Sequence, residues 1–188
     1  MIAIVHEGKS IDPSFFKLLL DDLGLDKSIV RFYGMGSKSN FFKIEHLNYR
    51  DISIAIEDID KILFILDSDY LAKNRVYDGF ENTLKKIESI QQELNIVDKC
   101  DTCITYDPNS ETKEGYLESL ILSTISKEQK KCIEAFLDCS DFKSKGHHKS
   151  ILNQIYKSAY PNAPYDFSHS NFDELKKKLT DLFKENNE

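Results

Sequence analysis

Short, mostly apolar runs alternate along the first two thirds of the chain with segments whose apolar residues recur every three or four positions. The runs predict strands at residues 2–5, 29–33, 62–66 and 102–106. The recurring pattern predicts helices between them, most clearly over residues 76–94. Alternating strands and helices, with nearly continuous apolar strands, are typical of a parallel sheet covered on both faces.

Several helix boundaries carry their own signals. Asp12 and Pro13 predict an N-cap and a first helical residue, and Gly24 predicts a left-handed stop after a helix that runs to about residue 23. The loop GMGSKSN at residues 34–40 precedes a helix that we expect to start near Ser39. Apolar residues of a further helical segment recur over residues 52–59.

Beyond residue 125 the pattern is helical only. A capping box at residues 126–129 opens one helix, and two more are predicted over residues 151–159 and from about residue 170. We therefore expect an α/β core over residues 1–125 and a helical C-terminal extension over residues 126–188, packed on the same domain.

Composition and charge narrow the class of protein. The chain has 188 residues, 40% of them hydrophobic, and its longest apolar runs fall far short of the roughly 20 residues that span a bilayer. Residues 2–5 follow Met1 without a basic segment or a cleavage site, so a cytoplasmic protein without membrane association is expected. A net charge of −7 argues against a broad basic face for duplex DNA, although it does not exclude a nuclease.

Four cysteines are present, and the first two have the spacing Cys-x-x-Cys. This spacing is compatible with half a zinc site or a redox dithiol. Since Cys is among the most buried residue types, we predict buried free thiols instead.

Three carboxylates follow predicted strands. Glu7 comes after the first strand, and Asp67 and Asp69 come after the third. In an open parallel sheet, ligands lie beyond the carboxyl ends of the strands, so these acids can meet at one edge. Carboxylates packed together repel one another and raise one another's pKa, and Mg²⁺ is the natural ion to neutralise them.

Two other interpretations remain open. An Asp after a strand is commonly a turn former or a helix cap. An apolar strand ending in Asp-x-Asp is also found in phosphatases of the haloacid-dehalogenase type, in which the first Asp is the nucleophile. Tyr70 stands where that family usually has Thr or Val, and the strand is the third rather than the first.

Together, Glu7-Gly8 after the first strand and Asp67-x-Asp69 after the third resemble the Toprim domain, the catalytic fold of topoisomerases and primases. GMGSKSNF at residues 34–41 is similar to the glycine-lysine loop of OLD-family nucleases and small stand-alone Toprim-like proteins. GYLESLIL at residues 115–122 resembles the Gly-x-Leu-Glu helix start of a bacterial Toprim-like family of unassigned function. The resemblance implies a Rossmann-like, mostly parallel four-stranded sheet with helices on both faces, plus C-terminal helices.

The same resemblance implies roles for individual residues. Glu7 would be a general acid or base or a metal ligand, and Asp67 and Asp69 would hold one or two Mg²⁺ or Mn²⁺ ions. Glu118 would bind a second metal, or it is an exposed residue favoured by the helix dipole. Gly34, Gly36 and Lys38 would bind a phosphate, or they form a glycine turn with a solvated lysine. Either Lys145 or Lys149 would be a lysine that stabilises the transition state, or both belong to a solvated basic turn.

These features together predict a Mg²⁺-dependent Toprim-like phosphotransfer enzyme, in particular a nuclease that hydrolyses phosphodiesters. The alternative is a catalytically weak binding or regulatory module that acts with a partner such as an ATPase. Nucleic acid and an ATPase are therefore the two partners to consider. The sequence does not indicate an oligomeric state.

Overall fold

A computed structural model describes residues 1–8, 11–71, 76–140, 151–152, 154–155 and 165–184. Its described residues form a four-stranded sheet of β1 (Ile2–His6), β2 (Val30–Gly34), β3 (Lys61–Asp67) and β4 (Cys100–Thr105). The strand order is β2-β1-β3-β4, and each neighbouring pair is parallel. The α/β fold expected from the sequence is confirmed.

Helices connect and cover the strands. Their bounds are α1 (Ile11–Asp22), α2 (Lys38–Phe41), α3 (Leu47–Ile54), α4 (Phe80–Glu93), α5 (Leu117–Leu122), α6 (Lys127–Cys139) and α7 (Asp173–Leu182). Short 3-10 helices precede β2, β4 and α7, at Lys27–Ile29, Val97–Lys99 and Ser170–Phe172. In the described part of the chain, none of the helices has the length and apolar composition that a membrane crossing requires.

Alternate residues of β1 belong to two hydrophobic clusters, one on each face of the sheet. Ile2 and Ile4 pack in a cluster with residues of α1, α5, α6 and α7. Ala3 and Val5 pack in the other, with residues of α2, α3 and α4. Because successive side chains of a strand point to opposite faces, both faces of this central strand are buried. The two central strands, β1 and β3, are therefore apolar almost throughout.

Helix α1 differs slightly from the prediction at its start and matches it at its end. It begins at Ile11, so Pro13 lies within the first turn, where an absent N–H removes no helical hydrogen bond. At the other end Gly24 has a φ of +65°, and Leu25 N donates to Leu20 O over 2.9 Å. This is the hydrogen bond of a Schellman motif, so the predicted glycine stop is confirmed.

Two predicted helices are shorter than their apolar repeats suggested. Helix α4 begins at Phe80 rather than at Val76, because Gly79 at its N-cap has a φ of +89° that helical residues do not adopt. Helix α3 ends at Ile54, although Ile59 farther along is fully buried. Burial of Ile59 therefore extended the periodic pattern past the end of α3, whereas Val76 is 60% exposed and fits the spacing of α4 without belonging to the helix.

The cysteines are all free thiols, as predicted, but only half of the burial prediction is right. Cys103 is buried and Cys100 partly so, whereas Cys132 and Cys139 on α6 are exposed. Burial raises the pKa of Cys103 and of Cys100 to about 12, with a smaller contribution from nearby acids. Burial thus favours the neutral form of both thiols of the Cys-x-x-Cys pair.

Candidate functional site

The carboxyl ends of the two central strands bring the predicted acids to one edge of the sheet. In the pairing of β1 with β3, His6 lies beside Ile65. Glu7 follows His6 directly, and Asp67 is the last residue of β3. Both are only partly exposed. The topology thus brings these two segments, far apart in the sequence, to neighbouring positions at the edge where α/β proteins bind ligands.

Asp67 is held in place by the next strand and the next helix. Its Oδ1 accepts a hydrogen bond from Thr105 Oγ1 over 2.7 Å and another from the backbone N–H of Leu117 over 2.8 Å. Thr105 ends β4, and Leu117 begins α5. One carboxylate oxygen therefore joins β3, β4 and α5, and its charge strengthens both hydrogen bonds.

A short antiparallel bridge brings the Gly-x-Leu-Glu segment to the same edge. Asp69 N donates to Gly115 O over 2.6 Å, and Gly115 N donates to Asp69 O over 3.2 Å. Asp69 adopts a φ of +57°, which is unusual for a residue other than glycine. Backbone conformations of this kind store strain and are found preferentially at functional sites. The two acidic motifs are therefore hydrogen-bonded to each other through their backbones.

Glu118 lies in the first turn of α5 and is 7% exposed. It is therefore not the exposed residue that one of the two interpretations of the sequence assumed. Asp67 bonds to the backbone of Leu117, the residue before Glu118. The fourth predicted acid thus belongs to the segment joined to the sheet edge, and its predicted role as a metal ligand stays a prediction.

The glycine loop of residues 34–40 packs against the segment that carries Glu7. A Cβ added to Gly34 would lie 2.8 Å from Gly8 O, and Met35 N donates to His6 O over 2.9 Å. Gly36 has a φ of +82°, a conformation that side chains rarely allow. The two glycines therefore permit close approach and a sharp turn, which is what a phosphate-binding loop needs.

Lys38 points towards the acids. Its Nζ donates to Ser68 O over 2.8 Å and lies 3.3 Å from Asp69 Oδ2 and 3.4 Å from Asp78 Oδ1. The residue is 8% exposed. The sequence predicted this lysine as the charge partner of a phosphate, but its contacts within the protein are with carboxylate and carbonyl oxygens.

Asp78 and Thr105 were not singled out in the sequence. Asp78 is 8% exposed and pairs with Lys38, while Thr105 holds Asp67. Asp78-Gly79 before a helix has the composition of an ordinary turn. The sequence offers one signal for Thr105: it ends the predicted strand that lies next to β3 in the sheet. The two predicted lysines Lys145 and Lys149 lie outside the described residues.

A cleft of about 400 Å³ lies beside the acidic edge. Leu71, shortly after Asp69, and Glu114, directly before Gly115, line it together with Phe80 and Lys113. Lys113 Nζ lies 4.5 Å from the centre of the Phe80 ring. A cation and an aromatic ring are the side chains that contact phosphates and stack on bases, and the cleft is also lined by Glu81, Glu111 and Glu114.

The donor set suits a hydrated Mg²⁺ better than a cage of protein ligands. Carboxylate oxygens are hard donors, and Ser68 Oγ is a buried hydroxyl that has no hydrogen-bond partner among the described residues. However, no three His, Cys, Asp or Glu side chains in the part of the chain that the structure describes are grouped closely enough to hold a metal. Mg²⁺ commonly binds through one or two carboxylates and keeps several waters, so the residues fit that form.

Comparisons with protein-family models, with curated proteins and with solved structures found no match for this chain.

Proposed function

We propose that this protein is a Mg²⁺- or Mn²⁺-dependent phosphotransfer enzyme that hydrolyses phosphodiester bonds in nucleic acid. The observation that supports this most directly is the anchoring of Asp67. Thr105 Oγ1 and Leu117 N hold its carboxylate at the end of β3, beside the end of β1 that Glu7 follows. A carboxylate fixed at this edge is pre-organised to hold a metal ion, which would supply the charge stabilisation that phosphoryl transfer requires.

Each acid then has a role in the proposed site. Asp67 and Glu7 would hold the metal ion, with Glu118 as a further candidate ligand, and Glu7 is also the candidate general acid or base. A bound Mg²⁺ would supply charge stabilisation at the phosphoryl oxygens and a more acidic bound water. Asp69 is already paired with Lys38 and therefore helps to position the loop.

Nucleic acid is the proposed substrate because of the cleft beside the acids. Lys113 and Phe80 line this cleft, and the glycine loop with Gly34 and Gly36 borders the Glu7 segment. Backbone N–H groups of such a loop can approach a phosphate closely. Because the chain carries a net charge of −7, binding would depend on these local contacts rather than on a broad basic surface.

The test is cleavage of single-stranded DNA, duplex DNA and RNA by the pure protein with Mg²⁺, with Mn²⁺ or with EDTA. Asp67→Asn keeps an oxygen for Thr105 and Leu117 while it removes the charge, so we expect activity to fall by about 100-fold or more. Asp101→Asn is the matched control, because Asp101 lies near the other end of β4 and pairs with Lys178.

Asp101→Asn should cleave at the wild-type rate. A wild-type protein that cleaves none of these substrates and binds no divalent ion in calorimetry would contradict the proposal. The binding or regulatory module described above would then be the better hypothesis.

A further inference from the structure

The ammonium group of Lys38 sits where an inorganic cation would otherwise be expected. Three oxygens surround its Nζ: Ser68 O at 2.8 Å, Asp69 Oδ2 at 3.3 Å and Asp78 Oδ1 at 3.4 Å. An ammonium has three N–H groups, so the number of oxygens equals the number of donors. Two carboxylates and a carbonyl are also the ligand types of a hard divalent cation.

We infer that Lys38 is a built-in cation that occupies a second cation position at the acidic edge, so that the protein binds at most one divalent ion. The limit of one ion rests on the proposed function. The occupation of the position by Lys38 does not, because it follows from the contacts of the ammonium group alone.

Burial explains why this position needs a cation. The side chains of Lys38, Asp69 and Asp78 are 9%, 16% and 12% exposed, so water screens their charges poorly. Without the ammonium, the carboxylates of Asp69 and Asp78 would both face this position with no compensating charge, and they would repel each other. A positive charge is therefore required there, and the chain supplies it from α2.

Lys38 also connects three separate segments. It begins α2, Ser68 and Asp69 follow β3, and Asp78 precedes α4. Ser68 O accepts a second hydrogen bond from Gly79 N over 2.8 Å, so the same carbonyl joins the segment before α4 to the acidic loop. The lysine therefore positions the loop that follows Asp67, and it is not available as the charge partner of a phosphate.

The test counts Mn²⁺ ions bound per chain by calorimetry in the wild type and in Lys38→Met, which keeps the length of the side chain but removes its charge. We expect one more Mn²⁺ ion per chain in Lys38→Met than in the wild type. The double variant Lys38→Met/Asp78→Asn should lose that extra ion. Lys130→Met is the matched control: Lys130 pairs with a single carboxylate, that of Asp107, and its removal should add no ion.

The ion counts separate this inference from the proposed function. If the wild type binds none and Lys38→Met binds one, the inference stands and the proposed metal dependence fails. If both bind one, the inference is wrong and the proposed metal dependence survives. Two ions bound by the wild type would also overturn the inference, because Lys38 would then leave room for a second metal.

A measurement on the wild type covers the case in which Lys38→Met does not fold. Acetic anhydride labels exposed lysines, and mass spectrometry gives the rate at each site. Lys38 should react far more slowly than exposed Lys184, and saturating Mn²⁺ should leave its rate unchanged. Equal rates at the two lysines, or faster labelling of Lys38 with Mn²⁺, would contradict the inference.

Discussion

His6 is a buried histidine directly before the predicted catalytic Glu7. It is 1% exposed, and its ring packs edge-on against Phe16 and Phe32, with ring centres 6.0 and 6.1 Å apart. Burial lowers its pKa from 6.5 to about 4, against an opposing contribution from the Gly8 backbone. His6 is therefore uncharged at neutral pH and does not neutralise the acids beside it.

This burial predicts a loss of stability in mild acid. Between pH 6.5 and about 4 the unfolded chain binds a proton at His6 that the folded chain does not bind, so stability falls as the pH falls through that window. Below about pH 4 the loss levels off, and the lowered pKa of His6 then accounts for a total loss of roughly 3 kcal/mol of unfolding free energy. Urea unfolding of the wild type from about pH 7 to about pH 4 measures it.

His6→Asn supplies the comparison, because an amide does not titrate in this range. We expect the variant to be less stable at neutral pH and to lose less stability on acidification than the wild type. An equally large loss in the variant would assign the effect to other groups.

Lys38 illustrates at the scale of one residue what the sequence leaves undetermined. A lysine after two glycines suits a phosphate-binding loop, and the same spacing lets it reach acids that lie 30 residues or more away. Only the fold determines which anion the ammonium meets. Asp78 could not be selected beforehand for the same reason, since its partner comes from another element.

The bridge between Asp69 and Gly115 joins the loop after β3 to the segment directly before α5. Gly115 has a φ of +134°, and a Cβ there would lie 2.6 Å from the backbone N of Asp107. A side chain at this position is therefore excluded both by the backbone conformation and by lack of space.

Gly115→Ala should consequently destabilise the protein and weaken the anchoring of Asp67. Gly24→Ala is the matched control, because Gly24 also has a positive φ, of +65°, but nothing lies within 4 Å of its added Cβ. We expect a cost of about 1 kcal/mol for Gly24→Ala, from backbone strain alone. Gly115→Ala should cost roughly 1–3 kcal/mol more, because the contact with Asp107 adds overpacking and because alanine tolerates a φ of +134° less well than one of +65°.

Urea unfolding of both variants measures the difference. Equal losses would contradict this prediction, because they would show that neither the contact with Asp107 nor the φ of +134° adds a cost.

The elements themselves follow well from the sequence. Four apolar runs became β1 to β4, and the Gly24 stop and the Ser126 capping box are present. Each of these features depends on the types of a few residues that are close together in the sequence. The end of α3 and the start of α4 were harder to predict, because buried Ile59 and exposed Val76 both match the helical spacing but lie outside the helices.

Helix α7 belongs to the same hydrophobic cluster as α1. Leu175, Leu179 and Leu182 of α7 pack in the cluster that contains Phe15 and Leu19 of α1. A polar contact also joins α7 to the sheet: Lys61 Nζ at the start of β3 donates a hydrogen bond to Asp181 O over 3.1 Å. The C-terminal helix thus covers one face of the sheet.

This shared core predicts that the α/β core and the C-terminal helix unfold together. Leu179 and Leu19 are both fully buried, and we expect Leu179→Ala and Leu19→Ala each to cost about 2–5 kcal/mol of unfolding free energy. If the helix is part of one cooperative unit, each variant shifts a single transition that circular dichroism and tyrosine fluorescence report at the same urea concentration. If it were an independent extension, Leu179→Ala would instead produce an early, separate transition of small amplitude while the main midpoint stayed at its wild-type value. That second outcome would limit the cooperative fold, and with it the proposed site, to the residues before α7.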